Sequence, residues 1–566
     1  MDATKIITVQ QMQELEQKAD EGGLSYATMM ENAGRCTAQA VLQRRSAKNR
    51  CVVLLIGPGN NGSDGLVAAH YLHEAGVPVC CYIWKREAKE DANLQRIEQD
   101  GASIIWCEDD TNLEALRGLL SGAEVVVDAL LGIGVSRPIG GTLGDILDVT
   151  RQALADRVAP GELAEILPAA LHAGTPLVVA VDCPTGLDCD SGELDPAALH
   201  ADLTITFAHP KTGLLRFPGA DAVGELVVAN IGIPAELTAD APLEMATPHR
   251  VASWLPDRPR SAHKGTCGSA LIVAGSVNYV GAAALSGAGA YRVGTGLVTL
   301  ALPTPIQSAV AATLTEATYL LLPHDMGVIT PAAVGVLEER LANYDALLVG
   351  PGLTDEKEAV AFVHALLGLE SDRRKGHIGF LANQENERSR PALPPLVIDA
   401  DGLNALARHD QWWHALPSET ILTPHPGEMA RLMGGEITTR KIQADREGIA
   451  RRMAQEWDAV LVLKGAFTVI AAPDGRVAVL PFANPGLATA GSGDVLAGAI
   501  VGLRAQGVGA YEAAVAGAYL HAAAGEIARS EMGCMGTMAS DLLPRLPRAL
   551  QRIRPLALGN LTPIRR

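Results

Sequence analysis

Aromatic residues are scarce in this chain of 566 residues, where Phe, Trp and Tyr together make up 4%. Basic residues are also outnumbered: 46 Lys and Arg face 64 Asp and Glu, a formal net charge of -18. An acidic surface disfavours nucleic-acid phosphates, so we expect no nucleic-acid partner. The 58 glycines, in contrast, are typical of tightly packed α/β units with glycine-rich turns.

The nine cysteines include no C-x-x-C pair, and two of them, Cys80 and Cys81, are adjacent. This pattern fits neither a disulfide framework nor a zinc site and predicts a reducing compartment. The N-terminus is mixed and acidic, unlike a signal peptide. The uncharged stretch 265–291 is long enough for a membrane span, but small and polar residues interrupt it. We therefore predict a soluble cytoplasmic protein with no membrane partner.

The hydrophobic pattern predicts two α/β domains, because this length exceeds what one core can hold. Continuous apolar runs such as 51–57 and 124–130 alternate with helical segments, and the rhythm restarts at 269–275. Buried strands separated by helices indicate parallel sheets covered on both faces. The Pro- and Ala-rich stretch 232–262 marks the boundary. We predict domains at 1–238 and 245–555, the first with a Rossmann-like doubly wound sheet.

Several local elements follow from capping and charge signals. Thr8 and Gln11 form a predicted capping box for a helix that runs to about Glu21. Further strands are predicted at 77–83, 102–106, 176–182, 203–207, 225–229, 297–301, 345–350, 395–400, 420–423, 459–463, 467–472 and 477–480. Further helices are predicted at 281–293, 440–456, 494–505 and 510–529. Segment 151–170 reads as an inserted helical segment, and the charged segment 369–392 as a solvated insertion or loop.

The most informative motif is NPGLATAGSGDVLAGA at 484–499. Gly491 and Gly493 let backbone N–H groups approach a ligand, and the start of a helix adds positive partial charge, which makes an anion seat. Asp494 would then lie beside the bound anion, where repulsion between the two negative charges is costly unless the carboxylate takes part in a reaction. The reaction that we predict for it is removal of a proton from a substrate hydroxyl. The competing interpretation is a helix cap with an N-terminal carboxylate.

A second glycine-rich turn, GPGNNGSDG, follows the predicted strand 51–57. It is not a G-x-G-x-x-G fingerprint, so an ordinary Rossmann cofactor site is not predicted. Asp128 and Asp182 each end another strand, and ligands lie outside the carboxyl ends of such strands. Oxygen atoms of Asn61, Asp128 and Thr185 are hard ligands that suit a cation, which leaves Asp182 for acid–base work. Each aspartate alone is more often a helix cap or a turn residue.

These N-terminal motifs, with MMENAG at 29–34, DALLGIG and DCPTGLD, resemble the NAD(P)H-hydrate epimerase domain over residues 5–235. The resemblance implies a K⁺ ion on Asn61, Asp128 and Thr185. Ser63 stands where the family usually has glycine, and Thr185 where it usually has serine. It also implies substrate contacts from Asn60, Asn61, Gly62, Ser63, Asp64, Gly132, Ile133, Gly134, Val135, Ser136, Arg137, Pro138 and Asp182.

The second half resembles the ribokinase-like superfamily, and within it the ADP/ATP-dependent NAD(P)H-hydrate dehydratases, over 245–553. The motifs that carry the resemblance are HKG, GPGL, DADGLN, TPHPGE, KGA and NPGLATAGSGD. It implies a ribokinase-like α/β/α domain. Substrate contacts would come from Ala282, Gly352, His425 and Asp494, and ADP contacts from Lys464, Gly465, Ala466, Phe467, Thr468 and Gly493. Phe467 interrupts the family's usual loop sequence.

Together the resemblances imply a bifunctional repair enzyme for hydrated NADH and NADPH. Asp494 would deprotonate the ring hydroxyl for attack on the terminal phosphate of ADP, with ATP as the other possible donor. Asp399 and Glu428 would gather Mg²⁺. Asp182 would be the acid–base group of the epimerase reaction. We also expect the protein to form a homo-oligomer. Two rivals stay open: a vitamin-precursor kinase fused to a nucleotide-binding domain, and a nucleotide sensor without turnover.

Overall fold

Two compact units divide the chain, one at 4–241 and one that begins at Pro242. The computed structural model describes residues 4–44, 51–87, 91–134, 138–156, 176–238, 241–369 and 391–557. The sequence predicts insertions at 151–170 and 369–392. Most of both segments lies outside the described residues. Within the described ranges, no helix is long and apolar enough to cross a bilayer.

The N-terminal unit is built on a seven-stranded parallel sheet with the order β4-β3-β2-β5-β6-β7-β8. The chain order reverses between β2 and β5, which is the doubly wound arrangement that the sequence predicts. The strands of this unit are β1 (Thr4–Lys5), β2 (Cys51–Ile56), β3 (Val79–Ile83), β4 (Ser103–Trp106), β5 (Ala123–Ala129), β6 (Leu177–Val181), β7 (Leu203–Phe207) and β8 (Glu225–Ala229).

Helices cover both faces of this sheet, and an apolar core lies against each face. The predicted capping box is confirmed: Gln11 N donates to Thr8 Oγ1 at 3.2 Å, and Thr8 N donates to Gln11 Oε1 at 2.9 Å. The helices are α1 (Val9–Glu21), α2 (Tyr26–Arg44), α3 (Asn60–Glu74), α4 (Ala92–Asp100), α5 (Glu114–Gly122) and α6 (Thr142–Asp156).

The C-terminal unit has a mixed sheet in the order β9-β20-β19-β18-β17-β16-β15-β10-β11-β12. Its centre is parallel, but β18, β19 and β20 form antiparallel pairs. The strands are β9 (Leu243–Met245), β10 (Ser269–Val273), β11 (Leu297–Pro303), β12 (Thr318–Leu322), β13 (His324–Asp325), β14 (Val328–Ile329), β15 (Ala346–Val349), β16 (Leu396–Ile398), β17 (Ile421–Leu422), β18 (Val460–Leu463), β19 (Val469–Ala471) and β20 (Val477–Val479).

The helices of this unit complete an α/β/α arrangement, which confirms the predicted fold class. The predicted helix 440–456 is two helices in the structure, because Asp445 caps the second. The helices are α7 (Pro248–Trp254), α8 (Val280–Arg292), α9 (Gln307–Thr313), α10 (Ala333–Glu338), α11 (Lys357–Leu367), α12 (Asp401–Leu406), α13 (Pro426–Leu432), α14 (Thr439–Ala444), α15 (Arg446–Glu456), α16 (Ser492–Ala505), α17 (Ala510–Met532), α18 (Ala539–Leu542) and α19 (Leu546–Ala557).

Helices α8 and α16 pack with their backbones in close approach. A Cβ on Gly289 of α8 would lie 2.6 Å from the carbonyl oxygen of Val495 in α16. A Cβ on Gly498 of α16 would lie 2.1 Å from the carbonyl oxygen of Ser286 in α8. Because these contacts are with backbone atoms, a side chain at either position has no room. The contact fixes the position of the first turn of α16.

Gly289→Ala is expected to destabilise the C-terminal unit by about 1–3 kcal/mol, the usual cost of overpacking a close contact. Gly281→Ala is the matched control on the same helix, because a Cβ there meets no atom within 4 Å. That control is expected to be neutral or stabilising by up to about 1 kcal/mol. Urea denaturation of both variants tests the pair, and equal midpoints would contradict the packing argument.

Candidate active sites at the carboxyl ends of the two sheets

Three oxygen-bearing side chains converge at the carboxyl ends of β2, β5 and β6. Asp128 is buried in β5, and its carboxylate accepts bonds from Thr185 Oγ1 at 2.7 Å and Thr185 N at 2.8 Å. Asn61, in the first turn of α3, donates from Nδ2 to Leu131 O at 2.9 Å. The Leu131 amide donates in turn to Thr185 Oγ1 at 3.0 Å. The loop after β5 therefore joins the three predicted cation ligands.

One atom of this cluster lacks a partner. Asn61 Oδ1 is buried and accepts no hydrogen bond from the described residues, an arrangement that costs free energy if nothing else binds there. Burial raises the pKa of Asp128, against the bonds from Thr185 and Leu130 that lower it. A cation beside the carboxylate and the free amide oxygen would compensate both costs. The donor set thus fits a monovalent ion with oxygen ligands.

Asp182 follows β6 directly and has left-handed backbone geometry, with φ of 61°. Its Oδ1 accepts three bonds, from Lys211 Nζ at 2.5 Å, Thr206 Oγ1 at 3.0 Å and Phe207 N at 3.2 Å. Its Oδ2 accepts none within the part of the chain that the structure describes. One oxygen is therefore fixed by the protein, and the other is available to a substrate.

Two more carboxyl groups lie near Asp182. Burial, followed by repulsion from Asp182 and Glu16, raises the pKa of Asp64 in α3 well above its ordinary value. Burial and Asp182 likewise raise the pKa of Glu16 in α1. Both groups therefore hold a proton more readily than an exposed carboxyl group does. The cluster combines two carboxyl groups of raised pKa with a lysine-paired aspartate.

Arg86, which follows β3, forms hydrogen bonds with the glycine-rich turn after β2. Its Nη1 donates to Gly57 O at 2.8 Å, and its Nη2 donates to Ser63 Oγ at 2.6 Å. The serine that replaces the family's usual glycine thus binds a guanidinium. Asn60 is exposed beside the buried Gly62, and the second predicted substrate loop contributes Gly132, Ile133, Gly134 and Pro138. Val135, Ser136 and Arg137 lie outside the described residues.

In the C-terminal unit, α16 starts at Ser492. The preceding Gly491 has a φ of 85°, a left-handed conformation that favours glycine. The amides of the first turn have no intrahelical acceptor and point towards the helix start. Asp494 lies in this turn and accepts no hydrogen bond from the described residues. Burial and the charge of Asp399 raise its pKa to about 7, although Lys464 lowers it. An unpaired carboxylate that titrates near neutrality has the properties of a general base.

Lys464 links this turn to the strand ends. Its Nζ donates to Asp399 Oδ1 at 2.7 Å and lies 3.7 Å from Glu428 Oε2. Burial lowers the pKa of Lys464, but Asp399, Glu428 and Asp494 more than offset this and leave it raised. A Cβ on Gly493 would lie 3.5 Å from Lys464 Nζ. The lysine therefore carries its charge directly beside the helix start.

The predicted substrate contacts of this unit come together in two places. Ala282 and Gly352 are adjacent: a Cβ on Gly352 would lie 2.8 Å from Ala282 Cβ. His425 caps α13, where its Nδ1 accepts from Gly427 N at 2.9 Å and its backbone N donates to Glu428 Oε2 at 2.7 Å. Burial, with the charge of Lys464, lowers the pKa of His425, so the neutral ring is favoured at neutral pH.

The predicted nucleotide loop 464–468 joins the antiparallel strands β18 and β19. Gly465 and Ala466 are exposed, and Thr468 Oγ1 donates to Gly465 O at 2.8 Å. Phe467 adopts a φ of 50°, and its amide donates to Phe482 O at 2.7 Å. Because this amide is already bonded within the protein, the Phe467 N–H is not available to a ligand.

Several residues at these sites were missed from the sequence. Lys211 and Thr206 bind Asp182, and Glu16 faces it from α1. In the other unit, buried Arg446 donates to Leu463 O at 2.8 Å and to Lys464 O at 3.2 Å, which holds the nucleotide loop. The sequence did contain a signal for Lys211. This lysine belongs to the motif HPK at 209–211, which follows the end of a parallel strand, where ligands bind in such sheets.

Two family models match the chain. One, described as NAD(P)H-hydrate dehydratase, matches residues 270–548, and the other, described as YjeF-related protein N-terminus, matches residues 26–213. A crystal structure of the ADP/ATP-dependent NAD(P)H-hydrate dehydratase from Bacillus subtilis, co-crystallised with ATP/Mg²⁺, is 31% identical. It covers 55% of this chain and 98% of its own, with a TM-score of 0.43.

Curated relatives match over nearly the full length. The bifunctional NAD(P)H-hydrate repair enzyme Nnr of Moorella thermoacetica is 38% identical over 97% of each chain. The enzyme of the same name from Thermofilum pendens is 35% identical over 97% of each chain, and that from Escherichia coli is 31% identical over 94% of this chain and 90% of its own. Identity at this level and coverage shows that the chain belongs to the family of bifunctional NAD(P)H-hydrate repair enzymes.

Proposed function

We propose that the two units divide the repair of hydrated NADH and NADPH between them. The unit at 4–241 interconverts the R and S epimers, and the unit from Pro242 onward removes water from the S epimer with ADP as phosphoryl donor. The observation that carries the proposal is the unpaired Asp494 carboxylate at the start of α16, with Lys464 beside it. A homo-oligomer in the cytoplasm stays a prediction.

In the dehydratase reaction, Asp494 takes the proton of the hydroxyl on carbon 6 of the hydrated nicotinamide ring. The oxygen then attacks the terminal phosphorus of ADP, and the bond to the bridging oxygen breaks so that AMP leaves. The first-turn amides of α16 and Lys464 neutralise the developing charge. Phosphate leaves as the ring nitrogen donates its electron pair, and loss of a ring proton restores the reduced cofactor. Ala282, Gly352 and His425 border the ring, and the loop 464–468 with Gly493 holds the nucleotide.

Mg²⁺ would supply charge neutralisation at the phosphates. The residues fit Mg²⁺ bound through water molecules better than Mg²⁺ coordinated directly by the carboxylates. Asp399 Oδ1 is already bonded to Lys464 and to Thr423 Oγ1, whereas Oδ2 accepts no bond from the described residues. A Cβ on Gly493 would lie 3.9 Å from this Oδ2, so the free oxygen faces the helix start. Glu428 is partly committed to capping α13.

In the epimerase reaction, Oδ2 of Asp182 moves the proton at the same hydroxyl. If the ring opens, Asp182 takes this proton, the bond from carbon 6 to the ring nitrogen breaks, and an aldehyde forms as the nitrogen gains a proton. Closure on the other face inverts the carbon. If a cation forms instead, the hydroxyl leaves as water with a proton from a carboxyl group, and water returns on the other face. Both routes use Asp182 together with Asp64, whose raised pKa suits a proton donor.

K⁺ would be held by Asn61, Asp128 and Thr185, and it would supply positive charge close to the phosphate-bearing substrate. The buried Asn61 Oδ1, which accepts no hydrogen bond from any residue that the structure describes, supports this assignment. The remaining predicted contacts, on the loops 60–64 and 132–138, flank this cluster. Among the described residues, no group of three or more His, Cys, Asp or Glu side chains is placed to hold a metal.

Asp494→Asn is expected to lower kcat for dehydration about 10²–10⁴-fold, because the amide cannot accept the hydroxyl proton. The assay supplies hydrated NADH with ADP, or separately ATP, and follows recovery of reduced-nicotinamide absorbance. Epimerisation by the same sample serves as the control, since Asp182 lies in the other unit. Near-normal dehydration by the variant would contradict the assignment. A stable phosphorylated product would instead support the vitamin-kinase alternative.

The pH dependence of dehydration should report Asp494. Because the base must be ionised, kcat/KM is expected to rise with pH up to about 7 and to level off above it. Lys464→Met should move the midpoint to higher pH, since the lysine charge favours the ionised carboxylate. The measurement is a pH profile of kcat/KM for both proteins. An unmoved midpoint in the variant would exclude Asp494 as the titrating group.

Epimerisation should depend on K⁺ through Thr185. Thr185→Val removes the hydroxyl and is expected to raise the half-saturating K⁺ concentration at least about tenfold, as loss of ligand-sphere groups does. Thr185→Ser keeps the hydroxyl and should stay close to the parent protein. Epimerisation rates are measured across KCl concentrations, with tetramethylammonium chloride holding the ionic strength. Identical K⁺ curves for the two variants would remove Thr185 from the cation site.

A further inference from the structure

A fully buried lysine lies behind the candidate epimerase aspartate. The Lys211 side chain is 0% exposed, and its Nζ contacts three oxygens: Asp182 Oδ1 at 2.5 Å, Thr206 Oγ1 at 3.0 Å and Phe207 O at 3.4 Å. An ammonium group has three donors, so these contacts use all of them. Lys211 therefore has no donor left for a substrate, and its surroundings shield it from solvent.

The same contacts make the Asp182 carboxylate asymmetric. The bonds from Lys211, Thr206 and the Phe207 amide all end on Oδ1. Thr206 accepts from Lys211 and donates to Asp182, so the hydroxyl extends the ion pair into a small network. Rotation of the carboxylate would break three bonds at once. Oδ2 is thereby held in one direction.

A buried ion pair by itself is poor evidence of a contribution to stability, because desolvation of both charges offsets their attraction. The groups that face Asp182 make a role in charge control the better explanation. They are Lys211, Glu16 from α1, Asp64 from α3 and the neighbouring thiol of Cys183. The Lys211 ammonium group therefore places a positive charge against Asp182 at a point where two further carboxyl groups lie close.

We propose that Lys211 is a positioning residue of the epimerase, which holds Oδ1 of Asp182 and thereby directs its Oδ2 at the hydroxyl of the substrate. This inference rests on the proposed role of Asp182. It assigns the proton-accepting function to one oxygen atom of the Asp182 carboxylate. Thr206 acts with Lys211, because its hydroxyl joins the two charges.

The test compares Lys211→Met with Lys5→Met in the full chain. Lys5 is a second buried lysine of the same unit, and its Nζ donates to Ala241 O at 2.9 Å. Lys211→Met is expected to lower kcat for epimerisation about 10²-fold, within the range of an acid–base group, with little change in KM. The acidic limb of its pH profile should move to higher pH. Lys5→Met should lower the melting temperature without moving the profile.

Two outcomes distinguish this inference from the proposed function. If Asp182→Asn abolishes epimerisation while Lys211→Met keeps the parent kcat and pH profile, Lys211 has no positioning role. If Asp182→Asn remains active, the proposed role of Asp182 itself is wrong. Dehydratase activity of each sample normalises the amount of folded protein.

A second pair of variants covers the case in which Lys211→Met does not fold. Thr206→Val removes the bridging hydroxyl, and Thr206→Ser retains it. We expect a smaller loss of kcat and the same direction of pH shift for Thr206→Val, with recovery in Thr206→Ser. Equal kcat values and equal profiles for the two threonine variants would overturn the inference.

Discussion

A lysine bonded to a carboxylate at a strand end sets the charge of both candidate sites. Lys464 binds Asp399 at 2.7 Å in the C-terminal unit, and Lys211 binds Asp182 at 2.5 Å in the N-terminal unit. Burial disfavours a charged carboxylate, and the adjacent ammonium group offsets that cost in each pair. The two units use the pairing differently. Lys464 pairs with Asp399, a neighbour of the proposed base Asp494, whereas Lys211 pairs with the proposed epimerase aspartate itself.

This difference matches the chemistry proposed for each unit. Asp494 is proposed to accept a proton from the substrate hydroxyl beside a phosphate, and a pKa of about 7 suits a base that works near neutral pH. Epimerisation needs both a proton acceptor and a proton donor, because the reaction returns to a compound of the same composition. The pairing of Asp182 and the raised pKa of Asp64 supply one of each. Parallel strands make this possible by ending at the same edge of the sheet.

Much of the fold follows from the sequence, because buried parallel strands are continuous apolar runs and the capping box at Thr8 is local. The aspartates at strand ends and the GSGD turn are likewise local signals. Lys211 was missed because it lies 29 residues from Asp182 and meets it through tertiary packing. Arg446 was missed for the same reason, since it reaches the carbonyl oxygen of a residue 17 positions away. The antiparallel pairing of β18 with β19 depends on the five-residue loop between them.

The left-handed backbone at Asp182 narrows which amino acids evolution can place there. For most side chains a φ of 61° costs about 1–2 kcal/mol, and Gly, Asn and Asp tolerate it best. Among these, aspartate alone carries a charge. Both the backbone conformation and the proposed reactivity therefore restrict substitution of Asp182. If a related chain lost epimerase activity, the backbone restriction would remain, and asparagine or glycine would be expected at this position.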